Sequence, residues 1–239
     1  MIELQELLSN PLDTLELTAV IDTALCVGAG GSSGSLADKP IIRNAKGKLL
    51  IPASQLKGRL RHECEKLARG LDWLVCESPN AATMCPQRAG LTEDEARGFQ
   101  RQYQVDSKEH YHCLICQIFG NPVLPSRIIF DDLICAEEPE NLPEVLRPGV
   151  TLNRRRRTAE DQKLYFLETS PPNTQLRFVG AIHLQLGCPS YTKALIAAGL
   201  RHIHALGGSK SAGLGWLHWE FPDFQIEDMA WQKLSEAMK

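Results

Sequence analysis

Strand-like and helix-like segments are interleaved along this chain, and their order constrains the fold more than any other feature. Residues 14–24 alternate between apolar and polar side chains, and one face collects Leu15, Leu17, Ala19 and Ile21. Residues 175–186 alternate in the same way, with inward positions at Leu176, Phe178, Ile182, Leu184 and Leu186. Each pattern predicts a half-buried β-strand, because successive side chains of a strand point to opposite faces of its sheet.

Apolar residues at helical spacing follow each of these strands. Ser54 is positioned to cap the first helix, whose buried face would hold Leu56, Leu60, Cys64 and Leu67. A second helix is predicted over residues 190–206, because the two glycines that follow are typical of a helix end. Shorter strands are predicted at 127–134 and 215–221. The resulting order, βαββαβ, predicts an α+β, ferredoxin-like (RRM-like) fold. The aromatic signatures of RNA-recognition motifs are missing, so loops and hairpins would have to hold any RNA.

Composition limits the classes of function. The chain has 239 residues, of which 43% are hydrophobic, and this is enough for a packed core in a single domain over residues 1–239. A formal net charge of −3 argues against a generally basic nucleic-acid coat protein, so RNA contacts would come from local basic clusters. No apolar run has the length of a membrane span, and the N-terminus does not resemble a signal peptide. We therefore expect a soluble cytoplasmic protein with no membrane partner.

A glycine- and serine-rich segment leads to one isolated acid, Asp38, and then to a basic helix. Glycines allow backbone amides to approach a ligand closely, and a helix N-terminus adds partial positive charge. The arrangement favours a phosphate-bearing partner, with contacts from Ser54, Lys57, Arg59 and Arg61. A solvated helix face is the alternative for these cations. A dinucleotide-binding motif is excluded, because Ser33 replaces the third glycine and no helix follows directly.

Four of the eight cysteines predict a structural metal site. Regular periodicity is lost after residue 70, and a C-x-x-C pair ends this polar segment. Two thiolates at that spacing suit a tetrahedral Zn²⁺, and two upstream cysteines complete the ligand set. We expect residues 70–120 to form a zinc-binding insertion. The four ligands would be Cys76, Cys85, Cys113 and Cys116.

Other interpretations of this segment stay open. The C-x-x-C pair could be redox-active, although a thioredoxin-type pair is expected at a strand-to-helix junction. His110 or His112 could replace one cysteine ligand. Between the cysteines, Thr92 and Glu95 form a capping box that predicts a short helix.

Four consecutive arginines form the strongest basic cluster of the chain, at Arg154, Arg155, Arg156 and Arg157. A guanidinium binds phosphate oxygens bidentately, so an extended hairpin that presents these residues and Asn153 would grip a nucleic-acid backbone. A solvated charge cluster and a nuclear-import signal are the alternatives. The closing loop, residues 207–215, offers the backbone donors of an anion-binding nest or forms a flexible turn. Its candidate residues are Gly207, Gly208, Ser209 and Lys210.

Several motifs are specific in combination. They are D-K-P-I-I from Asp38, I-P-A-S-Q-L-K-G-R-L-R from Ile51, C-x-x-C-x-x-F-G from Cys113 and G-G-S-K-S-A-G-L-G from Gly207. Together they resemble the RAMP superfamily of CRISPR-associated proteins, and most of all the repeated backbone subunit of type III effector complexes. Residues 152–178 are similar to the hairpin "thumb" of that family and the strand after it.

The resemblance implies a ferredoxin-like palm that polymerises along a CRISPR guide RNA. A thumb hairpin, here residues 135–175, would intrude between guide and target RNA. In catalytic members an aspartate after the first strand cleaves the target RNA, and Asp38 matches it. The target's own 2′-OH would attack the adjacent phosphate, while Asp38 acts as base or holds a divalent cation such as Mg²⁺. The implied partners in a prokaryotic cytoplasm are other RAMP backbone subunits, a small subunit and a large polymerase/cyclase-type subunit.

The chain departs from the family pattern at two places, and two further functions are left open. Ala53-Ser54-Gln55 stands where the family commonly has Gly-Ser-Ser, and the glycine loop lacks its usual arginine. One alternative is a catalytically idle structural subunit in which Asp38 only forms a turn. The other is a stand-alone guide-processing endoribonuclease that uses a histidine, for which the candidates are His62, His202 and His204.

Overall fold

The computed structural model describes residues 13–28, 37–86 and 112–220. Most of the glycine-rich segment (residues 29–36), the capping box of Thr92 and Glu95, and His110 lie outside these ranges. What the sequence predicts for them therefore stays a prediction.

The described residues contain eight strands and three helices. The strands are β1 (Asp13–Ile21), β2 (Leu50–Ile51), β3 (Ile128–Phe130), β4 (Leu133–Cys135), β5 (Val145–Asn153), β6 (Thr158–Thr169), β7 (Leu176–Leu184) and β8 (Leu217–Glu220). The helices are α1 (Ala53–Gly70), α2 (Leu114–Phe119) and α3 (Thr192–Arg201), and short 3-10 turns lie at Pro139–Asn141 and Lys210–Ala212. None of these helices has the length and apolar content that crossing a bilayer requires.

Six strands form one antiparallel sheet with β7 near its centre. The strand order is β2-β4-β7-β1-β8, and β3 also pairs with β7. β1 pairs with β7 along its whole length, from Asp13 opposite Leu184 to Ile21 opposite Leu176. The other edge of β1 pairs with β8. The chain is therefore a mixed α+β protein with antiparallel sheets.

The core lies between this sheet and the helices. Leu17 of β1 and Phe178 of β7 are fully buried, and they share one apolar cluster with Leu56 and Leu60 of α1. The inward positions predicted for β1 are all buried, which confirms the alternation there. Leu186 is 45% exposed, so its predicted inward position is wrong, because it lies beyond the end of β7.

Three predicted details of these elements are wrong. The predicted second helix ends at Arg201 instead of residue 206, and Gly207, with a φ of +88°, belongs to the loop beyond it. The predicted strand at 127–134 is divided into β3 and β4. Ser54 does not cap α1: the cap position is Pro52, and the Ala53 N–H donates instead to Asp132 Oδ1 at 2.7 Å. A carboxylate from the gap between β3 and β4 therefore satisfies the start of α1.

β5 and β6 form a separate two-stranded hairpin. Their register runs from Val145 opposite Thr169 to Asn153 opposite Thr158, and it is interrupted by a shift between Val150 and Leu152. Apolar side chains on this hairpin are exposed, among them Leu146, Val150, Leu152 and Leu164. The hairpin thus projects from the main sheet, and its apolar side chains are not packed against a core.

α1 and α3 cross closely at Gly199, and this contact gives a stability prediction. A Cβ at Gly199 would lie 2.7 Å from Cys64 Sγ and 2.8 Å from Leu60 Cδ1, both in the fully buried core. Overpacking of this kind costs about 1–3 kcal/mol, and alanine's better helix propensity offsets part of it. We expect Gly199→Ala to lower the free energy of unfolding by about 1–2 kcal/mol, measured by urea denaturation.

Gly58→Ala is the matched control. Gly58 lies on the exposed side of α1, and a Cβ there meets no atom within 4 Å. The same substitution should raise the free energy of unfolding by about 0.5–1 kcal/mol through helix propensity alone. Equal effects at the two positions would contradict the close crossing.

Candidate nucleic-acid interface and metal centre

Asp38 lies on a segment that is docked along strand β6. Its Oδ2 accepts a 2.7 Å hydrogen bond from the Phe166 N–H. The next residue, Lys39, forms a parallel bridge with Leu167, in which its N–H donates to Phe166 O at 3.3 Å and its C=O accepts from the Glu168 N–H at 3.1 Å. The Asp38 side chain is exposed. One carboxylate oxygen is thus fixed at the base of the hairpin, on a side chain that solvent reaches.

Two side chains at the end of β6, Glu168 within the strand and Ser170 directly after it, hold the neighbouring segments. Glu168, only 5% exposed, accepts hydrogen bonds from the Ile41 N–H at 3.1 Å and from Arg43 Nη2 at 3.0 Å. Ser170 Oγ accepts from the Leu25 N–H at 2.9 Å, and the Ser170 N–H donates to Leu25 O at 2.9 Å. β6 is therefore the common support for the chain on both sides of the glycine-rich segment.

The closing loop packs against residues 24–28. The Gly208 N–H donates to Cys26 O at 2.7 Å, so this predicted anion donor is used within the chain. Lys210 Nζ donates to Gly207 O at 3.0 Å, which places its charge over its own loop. Ser209 is exposed and has a left-handed φ of +53°.

Residues 24–28 also join the Asp38 segment. The Ile42 N–H donates to Val27 O at 2.9 Å, and Gly28 bridges Ile41. The closing loop, the Asp38 segment and the base of the hairpin are therefore linked in one continuous set of contacts.

The four arginines form the turn between β5 and β6. Asn153 Oδ1 accepts hydrogen bonds from the N–H groups of Arg155 at 3.1 Å and Arg156 at 3.0 Å, so Asn153 organises the turn. All four arginine side chains are exposed. From Thr158, the first residue after this turn, to Phe166 is eight residue steps along β6, or about 26 Å at ~3.3 Å per residue. The arginines and Asp38 can therefore serve different positions of a nucleic acid, but not the same phosphate.

The first turn of α1 borders a surface groove of about 310 Å³. Ser54 and Lys57 line it from the helix, and the other lining residues include Ser126, Phe130 and Gln185. Burial lowers the pKa of Lys57, and the nearby positive charge of Arg61 lowers it further. An anion bound in the groove would stabilise the charged form of this lysine.

The other two cations predicted on α1 are engaged within the chain. Arg59 Nη2 lies 2.7 Å from Glu63 Oε1. Arg61 donates through Nε to Glu65 Oε1 at 3.0 Å, through Nη1 to Gly120 O at 2.9 Å and through Nη2 to Cys116 Sγ at 3.5 Å. The basic residues of α1 therefore have different surroundings: Lys57 lines the groove, whereas Arg61 contacts the cysteine cluster. RNA contacts of Arg59 and Arg61 stay a prediction.

The structure brings the four predicted cysteines together. All four sulfur atoms lie within 4.8 Å of one another, and all four residues are buried. Cys76 Sγ is 3.6 Å from Cys116 Sγ and 3.7 Å from Cys113 Sγ. A tetrahedral zinc with Zn–S bonds of about 2.3 Å requires sulfur atoms about 3.8 Å apart. The cluster could therefore bind a metal ion such as zinc.

Local structure explains how the C-x-x-C pair is presented. Cys113 is the cap residue of α2, and Cys116 lies in its first turn. The pair thus begins a helix, which a redox pair would also do, but Cys76 and Cys85 complete a four-sulfur set and favour metal binding. The Cys113 N–H donates to Cys85 Sγ at 3.2 Å, which ties the backbone of the pair to a third cysteine.

Hydrogen bonds among the four cysteines shift their pKa values in different directions. Hydrogen bonds from Cys113 and Cys116 hold the pKa of the Cys76 thiol well below its ordinary value. The hydrogen bond with Cys116 raises the pKa of Cys113. A bound divalent cation would allow the remaining sulfurs to ionise, because metal binding releases thiol protons.

Four of the candidate histidines lie in the described part of the chain, and none belongs to the cluster of four cysteines. His112 is 2% exposed, and its Nδ1 accepts a 2.8 Å hydrogen bond from Asn121 Nδ2, outside the four-residue cluster. His62, His202 and His204 are all exposed.

Sequence reasoning missed Glu168, Ser170 and Asp132. Glu168 and Ser170 follow Phe166 at every second position, so all three side chains are expected on the same face. A polar residue at such an inward position indicates a buried hydrogen-bond partner, and this signal could have been used. No local pattern predicts the role of Asp132, because its partner, the Ala53 N–H of α1, lies 79 residues away in sequence.

The comparison with known proteins gives one family. The family model described as the RAMP superfamily matches residues 18–218. No curated protein matches the chain. The matched range includes Asp38, the four cysteines, the arginine turn and the closing loop.

Proposed function

Because this chain belongs to the RAMP superfamily, we propose that it is a guide-RNA-binding backbone subunit of a type III CRISPR effector complex that cleaves target RNA. The observation that carries this proposal is the docking of the Asp38 segment on β6. The exposed carboxylate lies at the base of a projecting hairpin, where a strand displaced by that hairpin would pass. The proposed partners are guide RNA, target RNA, further RAMP subunits, and the small and large subunits.

The proposed architecture is a ferredoxin-like palm with a thumb. In support, the order β4-β7-β1-β8 with helices packed on one face is the order that βαββαβ connectivity gives. The β5–β6 hairpin is the proposed thumb, within residues 135–175, and residues 70–120 are the proposed zinc-binding insertion. All belong to one domain, residues 1–239.

The proposed chemistry is an internal transfer in the target RNA. The 2′-oxygen attacks the adjacent phosphorus, the bond from phosphorus to the 5′-oxygen of the next nucleotide breaks, and that oxygen takes a proton from water. The products are a cyclic phosphate and a 5′-hydroxyl. Asp38 would accept the 2′-OH proton through the oxygen that Phe166 does not hold. The hairpin contributes by splaying the target nucleotide so that attacking and leaving oxygens are in line. If Asp38 instead holds a divalent cation such as Mg²⁺, phosphate oxygens would supply most other ligands, since this cation prefers oxygen.

The proposed role of the zinc is structural. Cys76, Cys85, Cys113 and Cys116 would hold it in a closed tetrahedral site with no open position for substrate. Zinc would then tie the polar residues after α1 to α2, where few apolar residues are available.

The proposed guide-binding surface combines the α1 groove with the closing loop. Ser54 and Lys57 border the groove, and Gly207, Gly208, Ser209 and Lys210 present the loop. Asn153 and the four arginines would grip backbone at the tip of the hairpin.

A salt titration tests the RNA-binding role. Each phosphate contact contributes about −0.9 to the slope of log K against log salt for a duplex and about −0.7 for a single strand. Replacing Arg154, Arg155, Arg156 and Arg157 by glutamine should therefore flatten the slope by about 1–3, with little sequence dependence. The measurement is filter binding of the reconstituted complex to target RNA at several salt concentrations.

Arg201→Gln removes one arginine on α3, outside the hairpin, and is the control that should leave the slope unchanged. An unchanged slope in the arginine-turn variant would show that the four guanidiniums face solvent and do not contact RNA.

One observation favours a second function. The Phe166 N–H holds Asp38 as it would hold any turn-forming aspartate. A catalytically idle backbone subunit would use Asp38 in this way, and the Asp38 variants described in the Discussion separate the two functions.

A further inference from the structure

Glu168 is an unusual residue for the strand in which it lies. Its side chain is only 5% exposed, although β6 belongs to a projecting hairpin with many exposed positions. A carboxylate is buried at a cost unless it is paired and hydrogen-bonded. Both of its oxygens are paired here, and both partners belong to the segment that carries Asp38.

The two partners follow Asp38 closely in sequence. Glu168 Oε2 accepts from the Ile41 N–H at 3.1 Å, and Oε1 accepts from Arg43 Nη2 at 3.0 Å. Arg43 also donates through Nη1 to Gly47 O at 3.3 Å, so its guanidinium is held from both sides. One side chain thus fixes the chain three and five residues beyond the candidate catalytic acid.

The backbone of this segment makes few contacts with β6 itself. Lys39 forms a single parallel bridge with Leu167, and a single bridge specifies register weakly. A slip of one residue along β6 would turn Asp38 to the opposite face, because side chains of an extended chain alternate. The bonds from Glu168 to Ile41 and Arg43 oppose that slip, because both would have to break.

We infer that Glu168 is a positioning residue for Asp38, which it holds in register with the hairpin. The inference rests on the proposed cleavage function. Glu168 would join the hairpin and Asp38 into one rigid unit. The place where the hairpin enters a guide–target duplex would then determine which phosphate Asp38 reaches. Displacement of a catalytic group by about 1 Å can cost on the order of 100-fold in rate.

Glu168→Gln is the informative variant. A carboxylate offers acceptors to both the Ile41 N–H and Arg43, whereas an amide has one oxygen and one NH₂ group. In either orientation the amide presents a donor to a donor, so one of the two bonds is lost while the size of the side chain is kept.

Glu63→Gln is the matched control. Glu63 is similarly buried and pairs with Arg59 on α1 at 2.7 Å, but it does not touch the Asp38 segment. Glu63 also pairs with Lys66 at 3.2 Å, so Glu63→Gln loses two ion pairs where Glu168→Gln loses one. A larger loss of cleavage rate in Glu168→Gln would therefore report position and not a general loss of stability.

The test uses the reconstituted effector complex with its guide RNA. For Glu168→Gln we expect the cleavage rate at saturating target to fall about 10- to 100-fold, with target affinity within about twofold of the unchanged complex. Amide hydrogen exchange should rise in residues 37–43 and stay unchanged in β1 and β7. Glu63→Gln should change neither the rate nor the exchange in residues 37–43. If Glu168→Gln does not assemble, Arg43→Gln should show the same separation of rate from affinity.

The outcomes separate this inference from the function on which it rests. If Asp38→Ala abolishes cleavage but Glu168→Gln cleaves at the normal rate, Glu168 is not a positioning residue and the proposed function stands. If Asp38→Ala cleaves normally, both are wrong. If both glutamate variants lose rate equally, or if exchange in residues 37–43 does not rise, Glu168 contributes only general stability and the inference is overturned.

Discussion

Asp38→Ala is expected to abolish target cleavage by the assembled complex while guide and target RNA still bind. A positioned general acid or base contributes about 10²- to 10⁴-fold to rate, so cleavage should fall by at least about 100-fold. Binding should persist, because the carboxylate is negatively charged and does not attract phosphate. The measurement is the rate of appearance of cleaved target RNA, with binding followed in parallel by gel shift.

Asp38→Asn separates the two uses of this side chain. Its amide oxygen can still accept the hydrogen bond from the Phe166 N–H, so the docked segment is preserved. If Asp38 acts through its charge, the asparagine variant should be as inactive as the alanine variant. If the asparagine variant cleaves normally, Asp38 only forms the turn, and the idle backbone subunit is the better description.

Cys113→Ser is expected to release the metal and to destabilise the protein strongly. Structural zinc contributes on the order of 10 kcal/mol to the folding of small zinc modules, so losing one of four ligands should cost several kcal/mol here. Metal analysis of the unchanged protein should find about one zinc per chain, and the variant should bind much less. Thermal unfolding with and without a chelator gives the second readout.

Cys135→Ser is the matched control, because Cys135 is also buried but lies on β4, outside the four-sulfur cluster. It should keep its metal and lose at most about 1–3 kcal/mol from burying a hydroxyl. A purified protein that is folded and free of metal would show that the four sulfurs are not a zinc site.

Sequence patterns predict the parts of this fold that depend on local order. Alternation predicts β1 and β7 well, because both strands pack one face on the helices and leave the other face open. Ligand spacing predicts the four cysteines, although they are spread over 41 residues, because thiolates in a polar segment have few other uses.

The parts that could not be predicted depend on distant partners. Glu168 and Ile41 are 127 residues apart in sequence, and no local signal predicts their contact. The division of the basic helix face could have been predicted in part, because Arg59 precedes Glu63 by four residues and Arg61 precedes Glu65 by four. This spacing favours ion pairs within a helix over contacts with RNA.

The docked Asp38 segment also affects how the free protein behaves in solution. A projecting two-stranded hairpin with exposed apolar residues, such as Leu152 at 64% and Leu164 at 60%, offers unpaired edges to other polypeptides. Near its base the outer edge of β6 is occupied by Lys39, and on β5 Pro148 removes a backbone donor. Near the base of the hairpin, both strands are therefore poor templates for an intermolecular β-sheet.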